Sequence, residues 1–519
     1  MSIKRRDFLK GTAAAGIALA GLPMINNLGV HALAKSPGID ALSRLAADND
    51  RILILVQLAG GNDGLNTLVP WQDSRYYAAR PGIALNESQT LPLSDTLRWH
   101  SALSGFRDLY ENENLAIIQN ATYPNPNRSH FRGTDIWLTA TDSDVFFGAG
   151  WLGRYLTSIF PDYPETLPTH PMAIQIGGSP SLGFNTNLGN TALAFRTPEE
   201  FSAIVNGKTT GYPEAPDTPM GEELSFLRNV AASSQIYADT IDEVYGKGKD
   251  LSTVEYPDTA LARALNAVAG LIAGGLQTKV YLVSLGGFDT HASQLGQHNT
   301  LLSTVGDAVK AFMDDVNAIG VGDRVAGMTF SEFGRRVNQN GSAGTDHGTA
   351  APMFVFGNKV LGKTVHGNTP DLDDLDNRGD IKMEHDFREV YASVLAQWFG
   401  ESDGLVSKVL FREFNTLPLF EKPLVSSVQD EFERDVAAMI YPNPAVSQAT
   451  LAFNLPQRGT VEVSILDVQG RTLARVHNGE LAAGRHSLAL NVSGFSSGLY
   501  LTRLRVGGYE MMRALNVTR

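Results

Sequence analysis

Four segments of this chain carry carboxylates and imidazoles beside apolar runs that predict buried strands. Ligands of an α/β sheet bind beyond the carboxyl ends of its parallel strands, so these side chains are expected to converge along one sheet edge. Carboxylates and imidazoles without thiols have the composition of a metal centre with oxygen and nitrogen ligands, holding one ion or a pair. The residues concerned are Asp63, Asp289, His291, Glu332, Arg335, Asp346 and His347.

Each of these short motifs also has a purely structural interpretation. A single Asp-x-His or Asp-His-Gly is common, and Glu332 can simply pair with Arg335 on the adjacent turn. Several such motifs at strand ends together favour the metal centre. The sequence leaves open whether His291 or His298 faces the metal.

A further chemical segment is "YPNPNRSHFRGTDIW", residues 123–137. It places Ser129 and His130 at the entrance to a predicted helix, where a hydroxyl commonly caps the first turn. The free backbone N–H groups of such a turn also suit an anionic substrate beside a nucleophile. Arg128 and Arg132 flank the pair, with guanidinium groups able to hold phosphate or sulfate oxygens.

Apolar, β-branched runs alternate with helix-like stretches over most of the chain. Continuous apolar strands between helices predict an α/β fold with a doubly wound, mostly parallel sheet that is covered on both faces. The predicted strands lie at 51–58, 115–120, 171–178, 279–287, 324–333 and 351–357, and the predicted helices at 222–246, 259–275 and roughly 292–318.

The pattern changes near residue 425. Short alternating runs separated by Gly, Asn and Ser predict a small antiparallel β-sandwich over 441–519. We therefore expect an α/β domain over 35–424, a linker over 425–440 and this sandwich.

The first 34 residues predict an export signal and not part of the fold. "KRRDFLKG" precedes a short apolar stretch and "ALA" at 32–34, which is typical of a cleaved twin-arginine signal. An uncleaved membrane anchor is the alternative, but the apolar stretch is short and rich in Gly and Ala. The expected partner is the twin-arginine translocase, and the mature chain is expected to lack a transmembrane span.

Composition excludes several classes of function. The net charge of −13 becomes about −16 when the +3 of residues 1–34 is removed, which argues against binding nucleic acid. The chain has no cysteine, so thiolate nucleophiles, iron–sulfur clusters and Cys-type zinc sites are excluded.

The motifs together resemble a known family. "GGNDGLN", "NPNRSHF", "GGFDTHASQ", "SEFGR" and "GTDHG" occur in order over about residues 50–400 and resemble the exported bacterial family called domain of unknown function 1501. That family is similar to the alkaline phosphatase and sulfatase superfamily, so the resemblance implies a sheet of alkaline phosphatase-like type.

The resemblance also implies roles for individual residues. Asp63 and Glu332 would bind one ion, and Ser129 would occupy the nucleophile position. The second ion would be held by Asp289, His291 and His347, with Asp346 or His298 as supporting or substitute ligands. Phe333 stands where relatives place a histidine, and His366 is a weaker candidate. The implied cofactor is one or two divalent ions, either zinc, manganese, magnesium or calcium.

The C-terminal module resembles the type A sorting domain of the type IX secretion system. The matching positions are Pro442, Asn443, Pro444, Asp467, Gly470, Gly498 and Tyr500. This implies the type IX machinery as a partner and export through the periplasm to the cell surface or the medium. A carbohydrate-binding or spacer sandwich is the alternative.

These observations predict an exported metal-dependent hydrolase of phosphate or sulfate esters. Ser129 would attack an anionic small molecule or glycan, assisted by His130, and Arg128 or Arg335 would neutralise the transferred group. The sulfatase signature is not found around Ser129, which argues against formylglycine chemistry. The alternative function is a non-catalytic surface protein of the same fold that binds a glycan or a structural metal.

Overall fold

The computed structural model of the chain describes most of residues 50–518. The described ranges are 50–160, 163–164, 167–178, 180–201, 237–421, 436, 438–467, 471–506 and 509–518. They fall into two compact units, Asp50–Glu421 and the described part of Lys422–Arg519. The signal expected at 1–34, most of the linker expected at 425–440 and the first part of the helix expected at 222–246 lie outside these residues.

The larger unit is organised around a nine-stranded sheet in the order β13-β5-β12-β11-β1-β10-β6-β9, with β14 also paired to β5. The smaller strands β2, β3 and β4 form a second sheet, and β7 pairs with β8. The strands are β1 (Ile52–Ala59), β2 (Leu68–Val69), β3 (Thr90–Pro92), β4 (Arg98–His100), β5 (Leu115–Thr122), β6 (Ala173–Ile176), β7 (Asn185–Thr186), β8 (Gly189–Asn190), β9 (Ala192–Phe195), β10 (Val280–Gly286), β11 (Val325–Phe330), β12 (Ala351–Gly357), β13 (Thr364–His366) and β14 (His385–Asp386).

Helices cover both faces of this sheet, and the stretch 237–248 is also helical. Val394–Trp398 continues α8 as a π-helix, and short 3₁₀ turns lie at Glu87–Gln89, Ser101–Leu103, Leu182–Phe184 and Gly322–Arg324. The α-helices are α1 (Gly64–Thr67), α2 (Ser74–Ala79), α3 (Ser104–Glu111), α4 (His130–Thr139), α5 (Trp151–Ile159), α6 (Ala260–Ala273), α7 (Gln294–Ala318), α8 (Phe387–Ser393) and α9 (Asp403–Leu410).

The central strand β1 shows why the apolar runs fold as they do. Alternate side chains of a strand point to opposite faces. Ile54 and Val56 accordingly join a core with α3, α6 and α7, whereas Leu53 and Leu55 join a core with α4, α5, α8 and α9. Each such side chain contributes about 1.5–3 kcal/mol on full burial. The predicted doubly covered α/β sheet is confirmed.

One strand of the sheet runs against the others, and this determines where the functional residues lie. β12 is antiparallel to both β11 and β5, whereas the remaining pairings along the sheet are parallel. Its first residue therefore lies at the edge where β1, β5, β10 and β11 end. Asp346 and His347 precede β12 in the chain, yet they reach the same edge as residues that follow the parallel strands.

The smaller unit consists of antiparallel strands, as predicted. They form two sheets in the orders β15-β16-β19 and β18-β17-β20-β21, around a common apolar core. The strands are β15 (Met439–Tyr441), β16 (Gln448–Leu455), β17 (Gly459–Leu466), β18 (Thr472–Leu481), β19 (Gly484–Asn491), β20 (Gly498–Val506) and β21 (Tyr509–Val517). Among the described residues of both units, no helix is long and apolar enough to cross a bilayer.

Candidate metal centre

Three side chains from separate elements meet at the carboxyl edge of the large sheet. His130 is the first residue of α4, Asp289 follows β10 and His347 precedes β12. One ligand atom from each lies within 4.8 Å of the others, and within the described residues this is the one such group of three. Asp289 Oδ1 is 3.4 Å from His130 Nε2 and 3.2 Å from His347 Nε2.

His291 places a third imidazole beside this group. Its Nε2 atom lies 3.1 Å from Asp289 Oδ1 and 2.9 Å from His347 Nε2. Of the two imidazoles that the sequence left open, His291 is therefore the one at the centre. His298 is buried on α7, with its Nε2 atom 3.0 Å from Asn62 Oδ1.

The other ring nitrogen of each imidazole is held by an acceptor. His130 Nδ1 lies 2.8 Å from Glu332 Oε1, and His291 Nδ1 lies 3.0 Å from Asp346 Oδ1. His347 Nδ1 lies 2.8 Å from the carbonyl oxygen of Arg128. Carbonyl and carboxylate oxygens only accept, so in each neutral ring Nδ1 carries the proton and Nε2 presents a lone pair.

Two of these lone pairs therefore face each other. His291 Nε2 and His347 Nε2 are 2.9 Å apart, a separation that requires a proton or a cation between them. His130 Nε2 is buried and has no hydrogen-bond partner. Buried polar atoms are normally satisfied, so an acceptor without a partner among converging ligand atoms points to a cation site.

The donor set fits a transition metal. Imidazoles whose far nitrogen is hydrogen-bonded to a carboxylate or a carbonyl are the usual arrangement around zinc. Tetrahedral zinc with bonds of about 2.0–2.1 Å requires ligand atoms about 3.3 Å apart, close to the 3.1–3.4 Å between Asp289 Oδ1 and the three Nε2 atoms. Three nitrogens and one oxygen suit zinc better than magnesium or calcium, which prefer oxygen.

Asp289 is kept ionised by its neighbours. Partial burial alone would raise its pKa, but the hydrogen bond and the charge of Arg335 lower the pKa of Asp289 to about 2. Arg335 Nη2 donates to Asp289 Oδ1 over 2.7 Å. The carboxylate is therefore charged and ready to bind a cation at any ordinary pH.

Arg335 holds the loops of this edge together. Its side chain is fully buried and donates to the carbonyls of Gly60, Gly61, Phe288 and Thr345. We expected Arg335 to neutralise a transferred group, whereas its burial and partners give it the role of positioning Asp289.

The two glycines after β1 allow these loops to come so close. Gly60 has a φ of +123°, and a Cβ atom there would lie 2.4 Å from the backbone nitrogen of Asp289. Gly61 has a φ of +85°, and its Cβ atom would lie 2.4 Å from the ring of Phe333. Any larger residue would push the strand ends apart.

Glu332 and Phe333 support His130 from behind. Glu332 Oε1 accepts from the Gly60 N–H over 2.8 Å as well as from His130. The Phe333 ring packs 4.9 Å from the His130 ring and 4.7 Å from the His347 ring. The sequence predicts Glu332 as a metal ligand. In the structure its Oε1 atom instead lies against His130 Nδ1, the ring nitrogen that faces away from Asp289. Asp346 stands in the same relation to His291.

Asp63, expected as a first metal ligand, is not brought into the group. It is buried and its Oδ2 atom forms an ion pair with Arg80 Nη1 at 2.6 Å, with a further hydrogen bond from Gln294. Burial alone would raise its pKa, but the charge and hydrogen bond of Arg80 hold the pKa of Asp63 below its usual range.

The segment before α4 contains the expected nucleophile. Ser129 is the N-cap residue of α4, it is exposed, and its hydroxyl makes no capping hydrogen bond. Arg128 pairs with Asp376 and Asp380, so its charge is balanced by carboxylates. His366 lies on β13 and contacts Thr364, outside the group.

From the sequence, His130 is predicted as a catalytic residue and nothing marks it as a metal ligand. His130 lies next to Ser129 at the start of α4, which suggests a catalytic role. Which of its two ring nitrogens faces the candidate centre depends on Glu332, 202 residues later in the chain. The ion pair of Asp63 with Arg80 was also missed. An arginine 17 residues after Asp63 carries no local signal of where its side chain folds.

Two parts of the chain match known families. Residues 242–410 match the family described as protein of unknown function (DUF1501), and residues 439–517 match the secretion system C-terminal sorting domain. Both resemblances noted from the sequence are thus confirmed, and the sorting domain indicates secretion toward the cell surface or the medium. No curated protein matches the chain.

Several solved structures are similar to parts of this chain. A protein of the alkaline phosphatase superfamily from Vibrio parahaemolyticus is 9% identical over 79% of this chain and 76% of its own, with a TM-score of 0.31. The PsFucS1 sulfatase from Pseudoalteromonas sp. is 10% identical over 89% of this chain and 91% of its own, with a TM-score of 0.30. Latent PorU from Porphyromonas gingivalis is 20% identical over 16% of this chain and 9% of its own, with a TM-score of 0.13.

Proposed function

We propose that this protein is an exported metal-dependent hydrolase of phosphate or sulfate esters. The observation that carries the proposal is the convergence of three Nε2 lone pairs on the Asp289 carboxylate. His130, Asp289, His291 and His347 would hold one divalent ion, of which zinc fits the donors best. Of the one or two ions predicted from the sequence, the proposal keeps one, because Asp63 is engaged by Arg80.

A bound divalent ion supplies a positive charge that stabilises developing negative charge on phosphoryl or sulfuryl oxygens. The residues of the chain do the rest. Ser129 presents an exposed hydroxyl next to His130 in the chain. The backbone N–H groups of the first turn of α4 lie immediately after it and can donate hydrogen bonds to an anion. Arg335 keeps Asp289 charged and in place.

Metal analysis combined with an ester screen tests the proposal. Protein purified without chelator should contain about one equivalent of zinc or a similar ion, and it should cleave p-nitrophenyl phosphate or p-nitrophenyl sulfate. The double variant Asp289→Asn/His347→Gln should lose both the metal and the turnover. His366→Gln is the matched control, because it removes an imidazole outside the centre.

Metal retained by the double variant at the wild-type stoichiometry would refute the ligand assignment. One bound ion with no turnover of any phosphate or sulfate ester would instead support the alternative, a surface protein with a structural metal. The exposed, uncapped hydroxyl of Ser129 is the observation that favours the enzyme.

A further inference from the structure

Two buried residues of the sequence motifs, Asp63 and Gln294, contact each other outside the group of candidate ligands. Asp63 belongs to "GGNDGLN", and Gln294 is the last residue of "GGFDTHASQ". Their exposed fractions are 1% and 0%. Gln294 Nε2 donates a hydrogen bond to Asp63 Oδ2, so the two motifs are joined through these side chains.

The amide oxygen of Gln294 joins the two loops that carry candidate metal ligands. Gln294 Oε1 accepts from Thr290 Oγ1 over 3.1 Å and from Thr345 Oγ1 over 2.6 Å. Thr290 stands between two candidate ligands in the chain, and Thr345 precedes His347 by two residues. The Thr345 N–H also donates to the Thr290 carbonyl over 3.1 Å. A single buried oxygen atom therefore ties one loop to the other.

Arg80 and Asp63 determine which way the Gln294 amide points. An ionised carboxylate only accepts hydrogen bonds, so the nitrogen of Gln294 must face Asp63 and its oxygen must face the two hydroxyls. Asp63 is held in turn by its 2.6 Å ion pair with Arg80. Arg80 donates to the carbonyls of Arg336 and Val337, each over 2.8 Å, which fixes the guanidinium group.

We propose that Gln294 is a positioning residue for the candidate metal centre, with its amide oriented by Asp63. It holds the segments 289–291 and 345–347 at a fixed separation, so that ligand atoms from both segments can reach one ion. Groups that orient the ligands of a metal set its affinity and its coordination geometry without touching it. The inference names what holds the proposed metal site in shape, and it rests on the metal site of the proposed function.

Metal affinity and the spectrum of the cobalt-substituted protein test this role in the full chain. Gln294→Met keeps the length of the side chain and removes its hydrogen bonds. The zinc affinity, measured by competition with a chelator, should fall about tenfold or more. The visible d–d absorption of bound Co²⁺ reports coordination geometry and should change as well. A role confined to folding stability would leave this spectrum of the folded protein as in the wild type.

Thr345→Val is the milder variant, which keeps the inference testable if Gln294→Met does not fold. It keeps the shape of the side chain and removes one of the two hydrogen bonds to Gln294 Oε1. It should lower the zinc affinity and change the cobalt spectrum in the same direction. Thr345→Ser retains the hydroxyl and should keep the wild-type zinc affinity.

Gln397→Met is the matched control, because Gln397 also ties a loop in place within the larger unit. Its Nε2 atom donates to the Leu417 carbonyl over 2.6 Å, and its Oε1 atom accepts from the N–H groups of Leu419 and Phe420. Its loss should lower the stability and leave the zinc affinity unchanged.

Wild-type zinc affinity and cobalt spectrum in Gln294→Met or in Thr345→Val would overturn the inference. An equal loss of zinc affinity in Gln397→Met would overturn it too. Zinc binding that depends on Gln294, in a protein that cleaves no ester, would leave this inference standing and remove the proposed hydrolase. Ester turnover with a zinc affinity that is independent of Gln294 would do the reverse.

Discussion

His130 Nδ1 and Glu332 Oε1 lie 2.8 Å apart, and this contact determines which nitrogen of His130 faces the candidate metal centre. The carboxylate accepts a hydrogen bond from Nδ1–H, so the lone pair of Nε2 points toward Asp289. The hydrogen bond also makes the imidazole a stronger donor to a metal. Glu332 would thus act on a bound ion through His130.

Glu332→Gln should weaken metal binding about 10- to 100-fold while leaving one site per chain. The amide keeps the shape and an acceptor for His130 but loses the charge that makes the imidazole more basic. Competition with a zinc chelator measures the affinity.

Glu389→Gln is the matched control for this substitution. Glu389 Oε2 lies 3.0 Å from His385 Nδ1, which is the same kind of pair outside the centre. Unchanged zinc affinity in Glu332→Gln, or an equal loss in the control, would contradict the supporting role of Glu332.

The sequence was sufficient to predict the sheet and the edge of it where the candidate metal centre lies. Apolar runs predicted β1, β5, β6, β10, β11 and β12, because strands buried on both faces are apolar at nearly every position. The sequence also predicts that Asp289, His291 and His347 lie close together, because each is within a few residues of the start or the end of a strand.

The sequence does not distinguish the candidate metal ligands from the buried residues that only hold the loops in place. Asp63 and Asp289 both follow a parallel strand by a few residues, yet one is buried against Arg80 and the other faces three imidazoles. The difference arises from side chains that approach from distant segments. Local spacing contains no information on such approaches.

Gly60→Ala should destabilise the larger unit more than Gly177→Ala. Both glycines have a φ of +123°, so either alanine pays about 1–3 kcal/mol for an unfavourable backbone conformation. Only at Gly60 does the added Cβ meet backbone atoms, at 2.4 Å from Asp289, whereas at Gly177 nothing lies within 4 Å. The clash should add about 1–3 kcal/mol.

Urea unfolding followed by tryptophan fluorescence measures this difference, because all five tryptophans lie within Asp50–Glu421. Equal losses of unfolding free energy in the two variants would mean that the strand ends adjust to the extra methyl group.

The stability of the larger unit should fall as the pH is lowered from about 6.5 to 4. Burial lowers the pKa of His298 to about 3 and the pKa of His100 to about 4. Between these values and the ordinary value near 6.5, the unfolded chain binds protons that the folded protein does not. Stability is therefore lost with falling pH, by about 1.4 kcal/mol per pH unit for each histidine.

His298→Gln should reduce this slope by about half. The amide can still donate to Asn62, and it does not titrate. Urea midpoints at several pH values measure the slope, and identical slopes for the variant and the wild type would show that His298 is protonated in the folded protein.

Ser129→Ala should abolish ester turnover with little effect on stability. The hydroxyl is exposed and caps nothing, so its removal should change the unfolding free energy by less than about 0.5 kcal/mol. Thr259→Ala is the matched control, because Thr259 caps α6 by accepting from the Ala262 N–H, and its loss should cost about 1 kcal/mol. Turnover of p-nitrophenyl esters and urea unfolding give the two readouts. Wild-type turnover in Ser129→Ala would exclude Ser129 as the nucleophile, and a stability loss as large as that of Thr259→Ala would show that its hydroxyl serves as a cap.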